Sequence, residues 1–270
     1  MNEPGSLVLV RGAGEIASGI AWRLFRCGFP VVLTEADRPL AVRRTVAFCE
    51  AVHDGSTTVE GVDCLRVDAV GQVPITLSAG AIPLLVDPGA RSRRALRPAA
   101  VVDAIMAKRN LGTAIHDAPI VVGVGPGFTA GADCHAVVET QRGHGLGRVY
   151  YQGAALADTG VPAERGGHST GRVVRAPADG AFAQGAREIG DTVRAGDLLG
   201  HVDGRPVLAA IDGLLRGLIR DGTPVTAGLK IGDIDPLGDV ARCFTISDKA
   251  LAVAGGVLEA LLVLRNSAQG

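Results

Sequence analysis

Short apolar runs alternate with glycine-rich or polar turns along the first half of the chain. Residues 7–10 and 31–34 are almost continuously apolar, which is typical of parallel strands buried on both faces. Between them Ile16, Ile20 and Leu24 recur every four residues, which predicts one face of a helix. Strand, helix and strand in this order predict an α/β domain with a Rossmann-like parallel sheet.

The second half has a different pattern, in which short apolar strands are separated by Asp-Gly, Gly-Asp and Asp-Gly-Thr-Pro turns. Asp179-Gly180 and Asp212-Gly213 open two similar stretches, offset by 212 − 179 = 33 residues, and each continues to a Val-x-Ala-Gly sequence. A twofold repeat of this kind predicts two half-barrels that close over one core. We therefore expect an all-β module over residues 172–236.

The last segment predicts a helix that covers another apolar surface. Thr245 or Ser247 is a suitable N-cap, and the apolar residues that follow need a partner surface. We expect this helix to pack back on the N-terminal sheet or on a second subunit. The predicted domains are thus a Rossmann-like domain at 1–155, the β module at 172–236 and a C-terminal helix at 237–270.

A glycine-rich turn after the first strand carries the first candidate site. Gly12, Gly14 and Ala17 have the G-x-G-x-x-A spacing, and Glu35 ends the second strand, 35 − 14 = 21 residues after Gly14. A dinucleotide-binding fold places its phosphate loop and ribose-binding acid at these positions. The carboxylate of Glu15 beside the phosphate position would repel a pyrophosphate. The cofactor-binding residues predicted here are Gly12, Ala13, Gly14, Glu15, Ile16, Ala17 and Glu35.

A second glycine-rich stretch, residues 119–148, follows another apolar run. Gly125 and Gly127 allow backbone amides to approach a ligand without a Cβ in the way, and Thr129 follows them. We expect these three residues to bind the same cofactor. The alternative is a glycine-rich turn between two strands, with His135 as a structural histidine.

The catalytic candidates are Asp133, His135 and Glu139, together with Lys108 from the preceding segment. His135 and Glu139 share one face of an extended strand, so we expect them to line a polar cleft with Asp133. Flanking carboxylates would raise the pKa of the imidazole, which suits an anionic ligand or proton transfer. Lys108 either holds an anionic substrate or belongs to a solvated basic turn.

Composition narrows the class of partner. The net charge is −1 and aromatic residues make up 3% of the chain, which argues against nucleic acid and against an anionic membrane surface. Five scattered cysteines without a Cys-x-x-Cys pair predict reduced thiols in a cytoplasmic protein and no metal site. The N-terminus lacks the features of a signal peptide, and the longest uncharged stretch is too polar to span a membrane.

The β module resembles the biotinyl/lipoyl-like barrel-sandwich hybrid domain. The resemblance is carried by the sequence Ala-Pro-x-Asp-Gly, by GDTVRAGDLLG at residues 190–200 and by the Asp-Gly repeat. Carrier versions of that domain present a modifiable lysine on the hairpin between the two halves. No lysine occurs between Lys108 and Lys230, so we expect a scaffold, docking surface or lid without a covalent prosthetic group.

The whole chain resembles the accessory family of selenium-dependent molybdenum hydroxylases. The matching motifs are RGAGEIASGIAWRL, GFPVVLTE, RRTVAF, AKRNLGT, GPGFTAGADCHAVVETQRGHGLGR, KIGDIDP and CFTISDKA. The resemblance implies a maturation factor that acts beside a molybdenum cofactor. It implies a pathway rather than a reaction, and it assigns no catalytic residue.

Three functions remain open from the sequence. The first is a maturation factor for a molybdenum hydroxylase that binds a nucleotide-type or molybdopterin-type anionic small molecule. The second is a dinucleotide-dependent oxidoreductase that uses His135 or Asp133 as an acid–base group. The third is a non-catalytic interaction scaffold that binds no ligand. The partner would be the hydroxylase or its cofactor, and the chain could also form a homo-oligomer.

Overall fold

The computed structural model describes residues 6–158, 160 and 171–267, which form two compact units. Unit 1 comprises Met1–Pro39, Phe48–Asp158 and Ile246–Gly270, and unit 2 comprises Leu40–Ala47 and Thr159–Thr245. The predicted fold class is confirmed, since the chain forms a mainly parallel α/β sheet, two small antiparallel sheets and a long C-terminal helix.

Eleven strands belong to the described part of unit 1. They are β1 (Val8–Arg11), β2 (Val31–Glu35), β3 (Ser56–Val59), β4 (Val62–Val67), β5 (Ile82–Val86), β6 (Ala100–Asp103), β7 (Ile120–Val124), β8 (Thr129–Ala130), β9 (Ala136–Val138), β10 (Val149–Tyr150) and β11 (Gly153–Ala154). Nine of them form one sheet in the order β10-β9-β7-β6-β1-β2-β5-β4-β3, and β8 pairs with β11.

The order of the central strands is that of a doubly wound Rossmann sheet. After β1 and β2 the chain forms β3 and β4 at the outer edge and then returns inward to β5, beside β2. It next crosses to β6 beside β1 and continues through β7 to β9. These strands are parallel, whereas β3 and β10 are antiparallel to their neighbours at the two edges. The direction of winding therefore reverses between β1 and β6, where such sheets bind ligands at their carboxyl ends.

The described residues contain six α-helices. They are α1 (Glu15–Arg26), α2 (Ala51–Asp54), α3 (Val73–Ser78), α4 (Arg93–Leu96), α5 (Ala241–Phe244) and α6 (Asp248–Ser267). Single 3₁₀ turns occur at Arg44–Val46, Phe48–Glu50 and Val70–Gln72. Among the helices only α1 and α6 exceed two turns, and both belong to unit 1.

The C-terminal helix α6 packs against α1 and against β7, β9 and β10, so it returns to the N-terminal sheet as expected. Its N-cap is Ser247, whose hydroxyl oxygen accepts a hydrogen bond from the Ala250 amide at 3.2 Å. Glycines permit α6 to lie close to α1 and to the loop that contains Gly147. A Cβ on Gly19 of α1 would lie 2.9 Å from the Ala250 Cβ, and a Cβ on Gly256 would overlap the carbonyl oxygen of Gly147.

Unit 2 contains two four-stranded antiparallel sheets around one apolar core. Its strands are β12 (Val173–Arg175), β13 (Gly180–Gln184), β14 (Thr192–Val193), β15 (Leu198–Val202), β16 (Arg205–Leu208), β17 (Gly213–Leu218), β18 (Pro224–Val225) and β19 (Lys230–Asp235). The sheet orders are β12-β19-β17-β14 and β16-β15-β13-β18. Phe182, Leu199 and Leu215 are fully buried between them.

The sequence repeat of unit 2 corresponds to an exchange of contacts between the two halves. Asp179 Oδ1 accepts a hydrogen bond from the Ala227 amide at 2.7 Å, and Asp212 Oδ1 accepts one from the Ala195 amide at 2.8 Å. The strand after Asp179, β13, pairs with β18, and the strand after Asp212, β17, pairs with β14. Each Asp-Gly turn thus binds the Val-x-Ala-Gly turn of the other repeat, which closes the two half-barrels.

Residues 40–47 lie inside the sequence range 1–155 but belong to unit 2. Arg43 Nη2 donates hydrogen bonds to the carbonyl oxygens of Arg242, at 2.7 Å, and Thr245, at 3.1 Å. These partners lie 199 and 202 positions later in the chain. No local pattern could indicate such a pairing.

The KIGDIDP motif forms β19, in which Asp233 and Asp235 are buried. Asp233 Oδ1 lies 2.8 Å from Arg172 Nη1 and 3.1 Å from Lys230 Nζ. Arg216 Nη1 lies 3.6 Å from Asp233 Oδ2, and Arg216 Nε lies 3.9 Å from Asp235 Oδ2. The motif therefore supplies buried carboxylates to an ionic network within one sheet of unit 2, in which removing one partner would leave an unpaired buried charge.

We expect Gly256→Ala to lower the free energy of unfolding by about 1–3 kcal/mol, the usual effect of overpacking. The new methyl group would overlap the carbonyl oxygen of Gly147 and lie 2.8 Å from Val138 Cγ1. Alanine is a better helix former than glycine by about 1 kcal/mol. A loss of stability would therefore have to come from the steric overlap and not from helix propensity. Chemical denaturation measures the change.

Gly255→Ala is the matched control on the same helix. A Cβ at that position meets only Arg23 Nη1, at an ordinary contact distance of 3.5 Å. We expect this variant to gain about 0.5–1 kcal/mol from helix propensity alone. Equal effects of the two substitutions would contradict the close packing of α6.

Candidate functional site

The carboxyl ends of β1 and β6 meet at the switch point and define the candidate site. Arg11 and Asp103 end these strands as register partners, with Arg11 Nη1 2.9 Å from Asp103 Oδ2. Both side chains are buried, and the Thr113 hydroxyl is hydrogen-bonded to both. This buried pair holds the loop that follows β6 against the end of β1.

The predicted phosphate loop lies at the same edge of the sheet. Gly12 has a φ of +94°, and a Cβ there would lie 3.0 Å from the carbonyl oxygen of Ala104, so Gly12 permits close backbone packing. Gly14 is the N-cap of α1, provides no side-chain hydrogen bond, and would direct a Cβ into open space. Because the first amides of a helix have no intrahelical acceptor, α1 offers hydrogen-bond donors beside Gly14.

Glu35, the predicted ribose-binding acid, ties this loop to β2. Its Oε2 accepts a hydrogen bond from the Ala13 amide and its Oε1 accepts one from the Ala36 amide, both at 2.7 Å. Burial raises the pKa of Glu35, while the two amide hydrogen bonds act in the opposite direction. Each oxygen keeps a second lone pair, with which a ligand hydroxyl can bind. Of the remaining loop residues, Ala17 is buried and Ile16 is half-buried.

Lys249 reaches the same edge from the first turn of α6, opposite the start of α1. Burial lowers the pKa of its half-buried ammonium group, and the field of Glu15 acts against that effect. In the part of the chain that the structure describes, the side chain of Lys249 has no ion pair or hydrogen bond. The pKa of Lys249 is lowered although the fields of Glu15 and Glu139 act to raise it, so burial of this cation remains a cost that an anionic ligand would reduce.

The other charges around Lys249 have partners. Arg142 binds both carboxylate oxygens of Asp248, at 2.7 and 2.9 Å, and Lys108 Nζ lies 2.7 Å from Asp158 Oδ2. Glu139, a catalytic candidate, is fully buried, and its carboxylate accepts three backbone hydrogen bonds. The donors are the amides of Thr140, Gln141 and Leu156. Among the described residues, Lys249 thus lacks a contact ion pair or hydrogen bond, although the fields of Glu15 and Glu139 act on it.

The two predicted glycines of the central loop serve packing. The Gly125 amide donates a hydrogen bond to the Val138 carbonyl oxygen at 2.9 Å, so this amide does not face a ligand. A Cβ on Gly127 would lie 2.5 Å from Arg109 Cα. Both glycines adopt positive φ, which lets the loop after β7 approach its neighbours closely.

The three catalytic candidates of the central loop are not brought together. The carboxylate of Asp133 accepts a hydrogen bond from the amide of Thr129, at 2.8 Å within its own turn. His135 precedes β9 and Glu139 follows it, so about 13 Å of extended chain separates them. Glu139 lies at the carboxyl edge of the sheet, whereas His135 lies at the amino edge.

The pKa of His135 is lowered, so the expectation of a raised value is wrong. Burial is the main cause, and the nearby imidazole of His116 adds to it. The carboxylates that were to raise the pKa point elsewhere, because they bind backbone amides. His135 Nδ1 instead accepts a hydrogen bond from the Val121 amide at 3.0 Å.

Sequence reasoning did not select Arg11 or Asp103 as site residues. A signal for Arg11 existed, since a charged residue ends an otherwise apolar strand directly before the phosphate loop. Its partner Asp103 lies 92 positions later in the chain. The two side chains meet because β1 and β6 are adjacent strands of the sheet. Lys249 is placed by the packing of α6 on α1, which the sequence predicted only in general terms.

The described residues also bear on metal binding, thiol chemistry and membrane crossing. Among the described residues, no group of three or more His, Cys, Asp and Glu side chains is placed to hold a metal ion. Burial raises the pKa of the Cys134 thiol to about 11. Within the same part of the chain, no helix has both the length and the apolar character needed to cross a membrane.

We expect Lys249→Met to raise the free energy of unfolding by about 0.5–2 kcal/mol, as is usual for one stabilising change. Methionine keeps the length of the side chain and removes the buried charge. The pKa of Lys249 is lower in the folded than in the unfolded protein. At a pH below the folded-state pKa, the charged ammonium group therefore reduces the free energy of unfolding. The cost fades as the pH rises toward the ordinary value of 10.5, so the gain should shrink at alkaline pH.

Lys108→Met is the control, because this lysine is exposed and paired with Asp158. We expect its effect to stay within about 0.5 kcal/mol. Denaturation at neutral and alkaline pH compares the two variants. If Lys249→Met were less stable than the parent, the ammonium group would have a partner that stabilises it.

The comparisons with known proteins give one relative. The chain is 49% identical over 258 residues to the uncharacterized protein YqeB of Escherichia coli (strain K12). The match covers 96% of this chain and 48% of that protein, so the chain spans about half the length of the curated relative. No protein-family model matches the chain, and no solved structure matches it.

Proposed function

We propose that this protein is an accessory factor in the maturation of a molybdenum hydroxylase and binds a nucleotide-type or molybdopterin-type anionic cofactor. The binding site is the carboxyl edge of the sheet. The observation that carries the proposal is the half-buried ammonium group of Lys249 beside the N-terminus of α1, which has no side-chain cap. Among the described residues this ammonium group has no hydrogen bond or contact ion pair. The maturation role rests on the resemblance of the sequence motifs to the molybdenum hydroxylase accessory family.

A phosphate group fits the properties of this edge. The first-turn amides of α1 donate hydrogen bonds, the helix dipole favours negative charge, and the open space beside Gly14 leaves room for approach. Lys249 supplies the counter-charge. Its field and that of Arg142 act on Glu15, so these two cations offset the repulsion that Glu15 would exert on a phosphate.

Glu35 favours the oxidoreductase as the second candidate. Its carboxylate lies at the end of β2, where a dinucleotide-binding sheet holds a ribose, and it keeps lone pairs for a hydroxyl group. A nicotinamide or flavin dinucleotide would use the same phosphate position. The identity of the bound molecule therefore distinguishes the two candidates.

The first experiment identifies the small molecules that the purified protein releases on denaturation, by mass spectrometry. We expect a phosphate-bearing pterin or nucleotide in a stoichiometric amount. A nicotinamide or flavin dinucleotide would instead support the oxidoreductase. Release of no phosphate-bearing molecule, from protein isolated from cells that make an active molybdenum hydroxylase, would contradict both.

Gly14→Asp tests the position of the phosphate. Aspartate is a good N-cap, so the variant should fold at least as stably as the parent, with a gain on the order of a few tenths of a kcal/mol. Its carboxylate would occupy the anion position and repel a phosphate, so we expect the released molecule to disappear. Molybdenum hydroxylase activity should fall in cells that carry only this variant.

Gly14→Asn is the matched control, because asparagine caps the helix and fills the same space without a charge. We expect it to retain more ligand than Gly14→Asp does. Equal retention in the parent and in both variants would remove α1 from the binding site.

A further inference from the structure

A cavity of about 1260 Å³ lies at the amino edge of the sheet of unit 1, opposite the candidate site. The first residues of β6 and β7 line it together with the C-terminal turns of α6, α4 and the loop that precedes β7. Leu261 of α6 lines this cavity and lies 12 residues after Lys249, which corresponds to about 18 Å along a helix. The cavity is thus separate from the carboxyl edge.

The charged residues of this amino-edge cavity are strongly unbalanced. Among the described residues that line it, four are arginines, and Asp117 is the one with a side-chain carboxylate. Asp117 pairs with one of them, Arg93, at 2.7 Å. For Arg94, Arg97 and Arg265, no guanidinium ion pair or hydrogen bond is found within the described residues. All three are exposed to solvent, and three cations without a neighbouring carboxylate in the described part of the chain contrast with a net charge of −1 for the whole chain.

The backbone of Arg97 supports a role for this residue. Arg97 follows α4 in the left-handed conformation, with φ of +47° and ψ of +57°. Such a conformation costs a residue other than glycine about 1–2 kcal/mol. Glycine or asparagine would adopt it more easily, so its use by an arginine at the cavity is consistent with a function of the side chain.

His135 adds an oriented hydrogen-bond donor to the same wall. Its Nδ1 accepts the Val121 amide hydrogen at 3.0 Å, and its own amide donates to the Val121 carbonyl oxygen at 2.8 Å. In the neutral ring the proton is therefore on Nε2. The lowered pKa keeps the ring neutral more readily, so Nε2–H serves as a donor that does not depend on a positive charge.

Apolar side chains form the other part of the lining. Phe29, Ile115, Leu261 and Leu264 contribute aromatic and aliphatic surface to the cavity. A small inorganic anion would leave this surface exposed to water, whereas an organic anion would cover it. The volume exceeds the roughly 300–1,000 Å³ of typical ligand pockets, so a molecule the size of a nucleotide can enter.

We propose that the amino-edge cavity is a second ligand site, which binds an organic molecule with at least two phosphate, sulfonate or carboxylate groups on an aromatic or aliphatic body. The guanidinium groups of Arg94, Arg97 and Arg265 bind the anionic groups, because planar guanidinium groups match carboxylate and phosphate oxygens. The imidazole of His135 donates a further hydrogen bond. The apolar wall takes the ring or chain of the ligand. This site is independent of the function proposed for the carboxyl edge.

The test uses naphthalene-1,5-disulfonate as the probe and isothermal titration calorimetry on the full chain. We expect one saturable site in the parent protein and at least tenfold weaker binding in the Arg97→Gln, Arg265→Gln double variant. Arg205→Gln removes one exposed charge in unit 2 and should change the affinity less than twofold. Sulfate and 1-naphthalenemethanol, which carry only the anion or only the ring, should each bind at least tenfold more weakly than the probe.

Lys249→Met separates this site from the carboxyl edge, and it should leave the affinity for the probe unchanged. Hydrogen exchange of the parent protein locates the probe without any variant, and we expect protection in α4 and in the last turns of α6. The inference is overturned by absence of saturable binding, by equal affinity of the double variant, or by protection confined to the first turns of α1 and α6. Failure of the cofactor experiment at the carboxyl edge would not affect any of these outcomes.

Discussion

The contact between α6 and α1 is the interaction on which both ends of unit 1 depend. Because Gly19 and Gly256 lack a Cβ, α6 lies close to α1 and to the loop that contains Gly147. This approach sets the position of the whole rigid helix, so one contact places Lys249 beside the start of α1. The same contact places Leu261 at the amino-edge cavity. A single packed helix thus contributes to two chemically different edges of one sheet.

The charged groups of unit 1 differ in whether they have hydrogen-bond or ion-pair partners within the described residues. Glu139 is buried, but three amides satisfy its carboxylate, and Asp103 is paired with Arg11. Such groups fix loops, and their burial costs are already offset. Among the described residues, neither half-buried Lys249 nor three exposed arginines of the amino-edge cavity have a contact ion pair. Both proposed sites therefore carry positive charge, and each proposal is for an anionic ligand.

Unit 2 uses its charges differently. Asp179 and Asp212 accept hydrogen bonds from amides of the opposite repeat. Asp233 of β19 forms ion pairs within its own sheet. These carboxylates hold the two half-barrels together, and the motif in β19 is part of that framework. The hairpin between β15 and β16 turns at Asp203 and Gly204, both with positive φ, which suits a two-residue turn. This hairpin contains no lysine that could carry a prosthetic group.

The sequence by itself indicated the class of fold and the elements with a clear pattern, because periodicity and turn residues are local properties. It predicted a Rossmann-like topology, the repeat of unit 2 and Ser247 as one of two caps for α6. The tertiary structure decided which side chains meet. Glu139 and His135 share a strand face yet point to opposite edges of the sheet, since a strand carries successive residues along its length. Lys249 reaches the phosphate loop only because two helices far apart in sequence pack together, and such long-range contacts leave no periodic pattern in the chain.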